Sequence, residues 1–315
     1  METSVDKKKY KVKKSGTFDR LDVSELIFRV IAYLFVGIFA LLCLYPLLYS
    51  LSSAISGRVA VDGGQIVLWP MDVQWDAFAV VIQNKSFWVA YCSTFFVTFY
   101  GTVYMMLIGI LGGYALSKKR LFGNKFFNFA LIFTMWFAAG TIPTYLNYMD
   151  TRNILEGMGI TDQKWLIVLA MGMSAYNIIL LRNAFESVPK EIEEAAIVDG
   201  ANDFQIMSKI AVPMSKATVA TVALFFAISR WNGYFWASRV VSNGYDKPLQ
   251  VVIQELISEF EAEMSEIGAA AFTGSYSQQS VIYAMVIAAI IPIILIYPFI
   301  QKYFAAGVNM GGVKE

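Results

Sequence analysis

Long apolar runs separated by shorter polar connections make up most of this chain. A helix needs about 20 apolar residues to cross about 30 Å of hydrocarbon. Six stretches reach that length: roughly 27–53, 87–116, 126–147, 163–183, 217–238 and 279–300. Gly140 and Pro143 interrupt the third, and Pro292 and Pro298 fall within the sixth. The second exceeds the need, which implies tilt or projection past the interface. The predicted fold is therefore an all-α integral membrane protein with six transmembrane helices. Its organisation reads as a basic tail (1–26), a first helix with the connection after it (27–86), a five-helix core (87–300) and a short terminal tail (301–315).

Two of the polar connections carry helical patterns of their own. Residues 186–213 far exceed the roughly 2–8 residues that a turn between helices requires. Pro189 suits a first helical turn, with Ser187 or Val188 just before it. Glu191, Glu193 and Glu194 crowd the N-terminal half, where the helix dipole favours carboxylates. Ile192, Ala195, Ala196 and Asp199 share a face, and the two alanines permit close approach of another surface. Gly200 suits a left-handed helix end, and Asn202 with Gln205 has the spacing of a capping box. Phe204, Met207 and Ile210 then share a face and Pro213 stops the second helix, which predicts a helical hairpin. In the connection 239–278, Leu249, Val252, Ile253, Leu256, Ile257 and Phe260 recur at helical spacing, with Gln254, Glu255, Glu259 and Glu261 between them. This is an amphipathic helix outside the membrane, serving either as a lid on the ends of the spans or as a contact for an external partner.

Charge orients the spans. Seventeen Lys and Arg residues lie in the two tails, the 118–125 connection and the central hairpin with its flanks, against six in the three opposite connections. Basic residues concentrate on the cytoplasmic side, so both termini and the 186–213 segment are expected there, in a multi-pass protein of the cell membrane. The stretches 54–86, 148–162 and 239–278 become external. The six Lys of the N-terminal tail set topology and touch anionic lipid. That tail is too long for the leading part of a signal peptide, so no cleavable signal is expected.

Composition narrows the chemistry. Charged residues are only 16% and mean hydropathy is +0.55, against about 25% charged in a soluble domain. A net charge of +1 gives no basis for binding nucleic acid. His is absent, which removes the commonest general base and metal ligand. Cys43 and Cys92 lie inside apolar runs and read as small buried hydrophobes, with no disulfide frame or metal site. No phosphate-cradling G-x-x-x-x-G-K-S/T loop occurs, so any ATP-driven process needs its nucleotide site on another subunit.

The hairpin carries a resemblance. Glu194-Ala195-Ala196, then Asp199-Gly200-Ala201, then Ile210-Ala211-Val212-Pro213 resembles the EAA motif of ABC-importer permeases, with Val212 where Leu is usual. The resemblance implies a coupling helix seated in a cleft of the ATP-binding subunit, with Glu194, Ala195, Ala196, Asp199, Gly200, Ile210 and Pro213 at the contact. Further stretches are similar to carbohydrate-importer permeases of the maltose type: Gly113-Tyr114-Ala115-Leu116-Ser117 with Phe122-Gly123, and the terminal Gly311-Gly312-Val313-Lys314. Gly140-Thr141-Ile142-Pro143-Thr144-Tyr145, Tyr176-Asn177-Ile178-Ile179-Leu180, Trp231-Asn232-Gly233-Tyr234-Phe235 and Lys247-Pro248-Leu249-Gln250 resemble the subgroup linked to aldouronates and other complex oligosaccharides. The implied fold is the MetI-like permease fold, with spans two to six as core and the first span packed on a partner permease. Gly311, Gly312 and Lys314 are implied to reach between the ATP-binding subunits. The implied partners are a second homologous permease, two ATP-binding subunits that carry ATP and Mg, an extracellular or periplasmic solute-binding protein, and the bilayer. This chain itself is implied to bind no cofactor and to be no enzyme.

Candidates for the translocation pathway are Tyr145, Tyr176, Asn177, Arg230, Trp231, Asn232 and Tyr234. Polar groups inside a membrane face the protein interior or a water cavity, so Asn177, Arg230 and Asn232 either line a path or hydrogen-bond helices together. Trp231, Tyr234, Phe235 and Trp236 form either an interfacial aromatic belt or a surface for stacking on sugar rings. An ion-coupled transporter acting alone would want acids within its spans or an inverted repeat. No Asp or Glu lies in any of the six spans, and no duplication is evident. A membrane enzyme lacks the usual catalytic groups. Within the ABC reading, a non-sugar solute is the alternative cargo.

Overall fold

The structure is a computed structural model that describes residues 23–267 and 276–312, with side chains at 23–24, 260–261, 263–267 and 299–312 left undescribed. The elements in chain order are α1 (Val23–Ala54), the short α2 (Arg58–Asp62) and α3 (Asp76–Gln83), and the long α4 (Lys85–Ser117). Then come α5 (Asn124–Trp136), α6 (Thr141–Gly157), α7 (Lys164–Ala170) and α8 (Ala175–Glu186). The hairpin comprises α9 (Lys190–Val198), α10 (Asp203–Ile206), a π-helical turn (Met207–Ala211) and α11 (Val212–Met214). Finally come α12 (Lys216–Trp231), α13 (Ala237–Val240), α14 (Leu249–Ile267) and α15 (Gln278–Gly312). Among the described residues α1, α4 and the Gln278–Pro298 part of α15 are each long and apolar enough to cross a membrane unaided.

The bundle is organised on α4. Every fourth residue along it (Ser93, Val97, Gly101, Met105, Gly109, Gly113, Ser117) is buried, and α7, α8 and α12 pack against it. Small residues on this stripe let neighbouring backbones approach closely, which is how helices associate without a hydrophobic driving force. Met105, Leu181, Ile206 and Phe226 form the apolar cluster at the hairpin end, and Phe87, Leu249 and Met285 anchor another at the opposite end. That opposite end is pinned by polar contacts. The buried Asp246 carboxylate accepts from the Gln163 backbone N–H (3.2 Å) and Asn243 Nδ2 (3.0 Å), with Lys164 Nζ at 3.5 Å.

Three expected spans are broken. The stretch 126–147 is not one helix: α5 ends at Trp136 and α6 sets off at 116° to it after Gly140, whose φ is +89°. Pro143 does not interrupt a helix but lies in the first turn of α6, where its missing N–H has no partner to lose. Consequently most of 148–162, expected as loop, is helical as far as Gly157. The stretch 163–183 divides into α7 and α8, 50° apart, around Met171–Ser174. The span expected at 217–238 ends as a helix at Trp231, and its N-terminal end meets the Asp203–Met214 arm at 88°.

The amphipathic helix at 249–267 forms, with Leu249, Val252 and Ile253 buried and Leu256 and Ile257 half-buried, and it packs on α4 and α15. Phe260 and Glu261 fall among the undescribed side chains. Cys43 and Cys92, expected to be buried, are exposed on α1 and α4. In lipid an apolar residue is as well placed outside as inside, so hydrophobicity alone did not locate them. α1 packs against α15 and leaves its apolar surface otherwise open.

Candidate functional site

The hairpin at 190–214 is built from two caps placed back to back. Pro189, expected one residue inside the helix, is the N-cap of α9. Glu191 and Glu193 occupy its first turn, where the exposed N–H groups favour carboxylates. At the other end Gly200 (φ +81°) makes the left-handed turn. Ala201 N–H donates to Ala196 O at 2.9 Å and Gly200 N–H to Ile197 O at 3.0 Å, which is a complete Schellman motif. Ala196 and Ala201 both pack on the apolar cluster of the bundle. The next residue, Asn202, opens α10 with a reciprocal capping box. Gln205 N–H donates to Asn202 Oδ1 and Asn202 N–H to Gln205 Oε1, each at 2.9 Å. Five backbone N–H groups of the turn, those of Asp199, Gly200, Ala201, Asn202 and Gln205, thus find partners within it, which fixes the tip locally.

The second arm corrects two expectations. Pro213 does not stop the helix; the arm continues to Met214 and bends at Ser215 into α12. Ahead of the proline the backbone widens into a π-turn in which Val212 N–H reaches Met207 O. Along this arm Ile206, Met207 and Ala211 are buried against the bundle, Ile210 is half-buried, and Phe204, in the turn ahead of the π-turn, points outward. Phe204 therefore does not share the buried face of Met207. On the outer side Glu194, Ala195, Asp199 and Gly200 are exposed, with Ile197 and an almost fully exposed Val198 (86%). The motif residues fall into two groups: Ala196 and Ile210 face the bundle, and Glu194, Ala195, Asp199 and Pro213 face away.

The other candidates scatter. Tyr145, Tyr176, Asn232 and Tyr234 are exposed, whereas Asn177, Arg230 and Trp231 are buried. Arg230 occupies the break between α7 and α8. Its Nη1 donates to Ile167 O at 2.7 Å and its Nη2 to Val168 O at 3.4 Å. These are carbonyls in the last turn of α7, which lack donors within that helix. Two glycines make room: a Cβ on Gly172 would lie 2.8 Å from Arg230 Cζ, and one on Gly101 2.9 Å from Nε. Trp231 packs edge-on against Tyr91 (6.0 Å) and Phe95 (5.2 Å). The side chains of Arg230 and Trp231 are thus taken up by the bundle itself, and the break they support opens α8, whose first turn carries Tyr176 and Asn177. The role of Gly101 and Gly172 escaped the sequence reading, although the four-residue rhythm of small residues from Ser93 to Ser117 was available as a signal. Gly311 and Gly312 lie at the end of α15, and Lys314 falls outside the described residues.

Comparison with known proteins agrees with this architecture. The family described as the binding-protein-dependent transport system inner membrane component matches residues 18–310. The chain belongs to this family. It is therefore a membrane-embedded transport permease of the MetI-like fold and not an enzyme. The permease is 32% identical over 292 residues to the polygalacturonan/rhamnogalacturonan transport system permease protein YtcP of Bacillus subtilis (strain 168), covering 91% of this chain and 98% of that one. It is 29% identical over 290 residues to Protein LplC of the same organism, covering 91% and 95%. Among solved structures, a chain of a bacterial ABC transporter involved in the import of the acidic polysaccharide alginate superposes on the permease with a TM-score of 0.78. The two are 40% identical, with 91% of this chain and 100% of that chain covered.

Proposed function

We propose that the permease forms one half of the transmembrane path of an ABC importer for an acidic, uronate-containing oligosaccharide. The observation that carries the coupling half of this reading is the hairpin. Its inner face packs on the bundle through Ala196, Ala201, Ile206 and Met207, while Glu194, Ala195, Val198 and Asp199 stand clear on a tip held by two caps. A rigid projection with an exposed apolar and acidic face suits insertion into a cleft of an ATP-binding subunit. Closure of two such subunits around ATP and Mg moves the hairpin, and the spans rock between outward and inward access. A second, homologous permease completes the path, and the uncovered face of α1 supports its pairing there. Both termini and the hairpin lie in the cytoplasm, in keeping with the seventeen-to-six bias of basic residues. An extracellular or periplasmic binding protein delivers the solute to the outer mouth. The proposed cargo class is supported by the likeness to a chain of a transporter involved in alginate import and to a polygalacturonan/rhamnogalacturonan transport permease.

The test is reconstitution with the partner permease, the ATP-binding subunits and the binding protein, with uronate oligosaccharides as solute. ATP-driven uptake is expected, and Glu194→Lys or Gly200→Val should abolish it while the chain still reaches the membrane. Uptake undiminished with both positions altered would refute the coupling assignment. Neutral oligosaccharides transported in place of acidic ones would refute the cargo class.

A further inference from the structure

The connection between α4 and α5 holds both arms of the hairpin. Lys118, the first residue past α4, pairs through Nζ with Glu193 Oε1 on α9, and Arg120 pairs through Nη2 with Asp203 Oδ1 at the start of α10. The two pairs straddle the turn at Gly200. They are unequal. The Lys118 and Glu193 side chains are only 15% and 17% exposed, against 56% and 64% for Arg120 and Asp203, and water screens the exposed pair. Lys118 Nζ also lies 4.4 Å from the centre of the buried Tyr114 ring, a cation–π contact that holds the ammonium against α4.

The connection itself is tied down. Asn124 Nδ2 donates to Leu116 O (2.8 Å) and Lys118 O (3.0 Å), and Asn128 Nδ2 to Leu116 O (3.3 Å). These bonds satisfy carbonyls at the end of α4 and make the end of α4, the connection and the first turns of α5 one piece. The hairpin is covalently continuous only with α8 and α12. Toward α4 it otherwise offers apolar contacts such as those around Tyr114, Ile206 and Met207. Those contacts are non-directional and tolerate sliding, whereas a half-buried ion pair fixes a position.

We propose that the Lys118–Glu193 pair, seconded by Arg120–Asp203, is the strut through which displacement of the hairpin reaches α4 and α5. Lys118 and Glu193 are positioning residues: they act on the bundle side of the hairpin and not on the face turned toward the motor. This rests on the reading of the hairpin as the ATPase contact. Without the strut, ATP-driven motion of the tip is absorbed by slippage against α4, and hydrolysis continues with less transport.

The experiment measures ATP hydrolysed and solute taken up together, in proteoliposomes holding the complete importer. Lys118→Glu and Glu193→Lys should each raise the ATP used per solute about fivefold, the factor for a coupling of about 1 kcal/mol, with the ATP-binding subunits still co-purifying. The double exchange K118E/E193K should return the ratio to within about twofold of the unaltered importer, a rescue that general damage to the fold would not give. Lys118→Gln and Glu193→Gln, which remove charge with little change of shape, serve in the same assay where a reversal prevents assembly. An unchanged ratio in the single variants, or a double variant no better than either, overturns the strut. Absence of ATP-driven uptake in the unaltered assembly strikes instead at the functional reading beneath it.

Discussion

Three glycines on α4 make a quantitative test of how α4 and α8 meet. A Cβ on Gly112 would have nothing within 4 Å. One on Gly109 would meet Leu181 Cδ1 at 3.1 Å, the far end of a flexible side chain. One on Gly113 would meet Leu181 Cβ at 3.0 Å and the α8 backbone at Arg182 N (3.2 Å) and Ile178 O (3.4 Å). Alanine gains up to about 1 kcal/mol over glycine in a helix interior, and all three positions share that gain. At Gly112 nothing opposes it, so Gly112→Ala should stabilise by about 0.5–1 kcal/mol. At Gly113 the contact can relax only by moving α8, and overpacking of that kind costs about 1–3 kcal/mol. Gly113→Ala should therefore be a net loss of up to about 2 kcal/mol. Gly109→Ala should fall between them, near neutral. Thermal unfolding of the purified permease in detergent, followed by tryptophan fluorescence, reads these differences at about 1.5 °C per kcal/mol, from an unfolding entropy of about 2.1 cal/mol/K per residue over 315 residues. The midpoint is expected to rise for Gly112→Ala and fall for Gly113→Ala. Equal upward shifts at 112 and 113 would show that α4 and α8 do not make the backbone contact described here.

Asn202→Ala removes one cap of the hairpin at a cost of about 1 kcal/mol. It should raise amide hydrogen exchange in 197–206 about fivefold; unchanged protection would mean that the caps do not hold the tip. Val198→Asp, at the exposed tip, should leave stability within about 0.5 kcal/mol of the parent yet prevent co-purification of the ATP-binding subunits. Retention of those subunits would remove the tip from the contact. Arg230→Met strands Ile167 O and Val168 O, whose charged hydrogen bonds are worth about 1.5–3 kcal/mol each at good geometry, the 3.4 Å bond counting for less. It also returns the cost of a charge inside the membrane, about 2.5–3.5 kcal/mol on insertion scales. These two contributions nearly cancel in global stability, so the check is local: amide hydrogen exchange over 167–174 is expected to rise at least about fivefold, and unchanged protection there would show that the guanidinium does not hold α7.

The sequence located the hairpin because its signals are local. Gly200, Asn202 and Gln205 act on backbone groups within five residues of themselves, so their spacing is sufficient information. The uneven burial of the second arm was not legible, because helical spacing does not say where the neighbouring surface ends: the bundle covers Ile206 and Met207 and leaves Phe204, in the first turn after the tip, outside it. The candidate pathway divided for a related reason. Intramembrane Arg and Asn mark a need for partners without naming them, and the carbonyls that take up Arg230 lie 62 and 63 residues away.

By itself, then, the sequence determined the class of molecule, the approximate spans, the side on which basic residues gather and the paired caps of the hairpin. Each follows from run length, charge count or contacts along a single turn. Tertiary structure alone decided where spans four and five break, which apolar residues the bundle leaves uncovered, and what holds the hairpin to it. A helix can stop inside an apolar run whenever its freed carbonyls find a donor elsewhere, as α7 finds Arg230. In the same way, Lys118 and Glu193 become partners only once folding has closed the 75 residues between them.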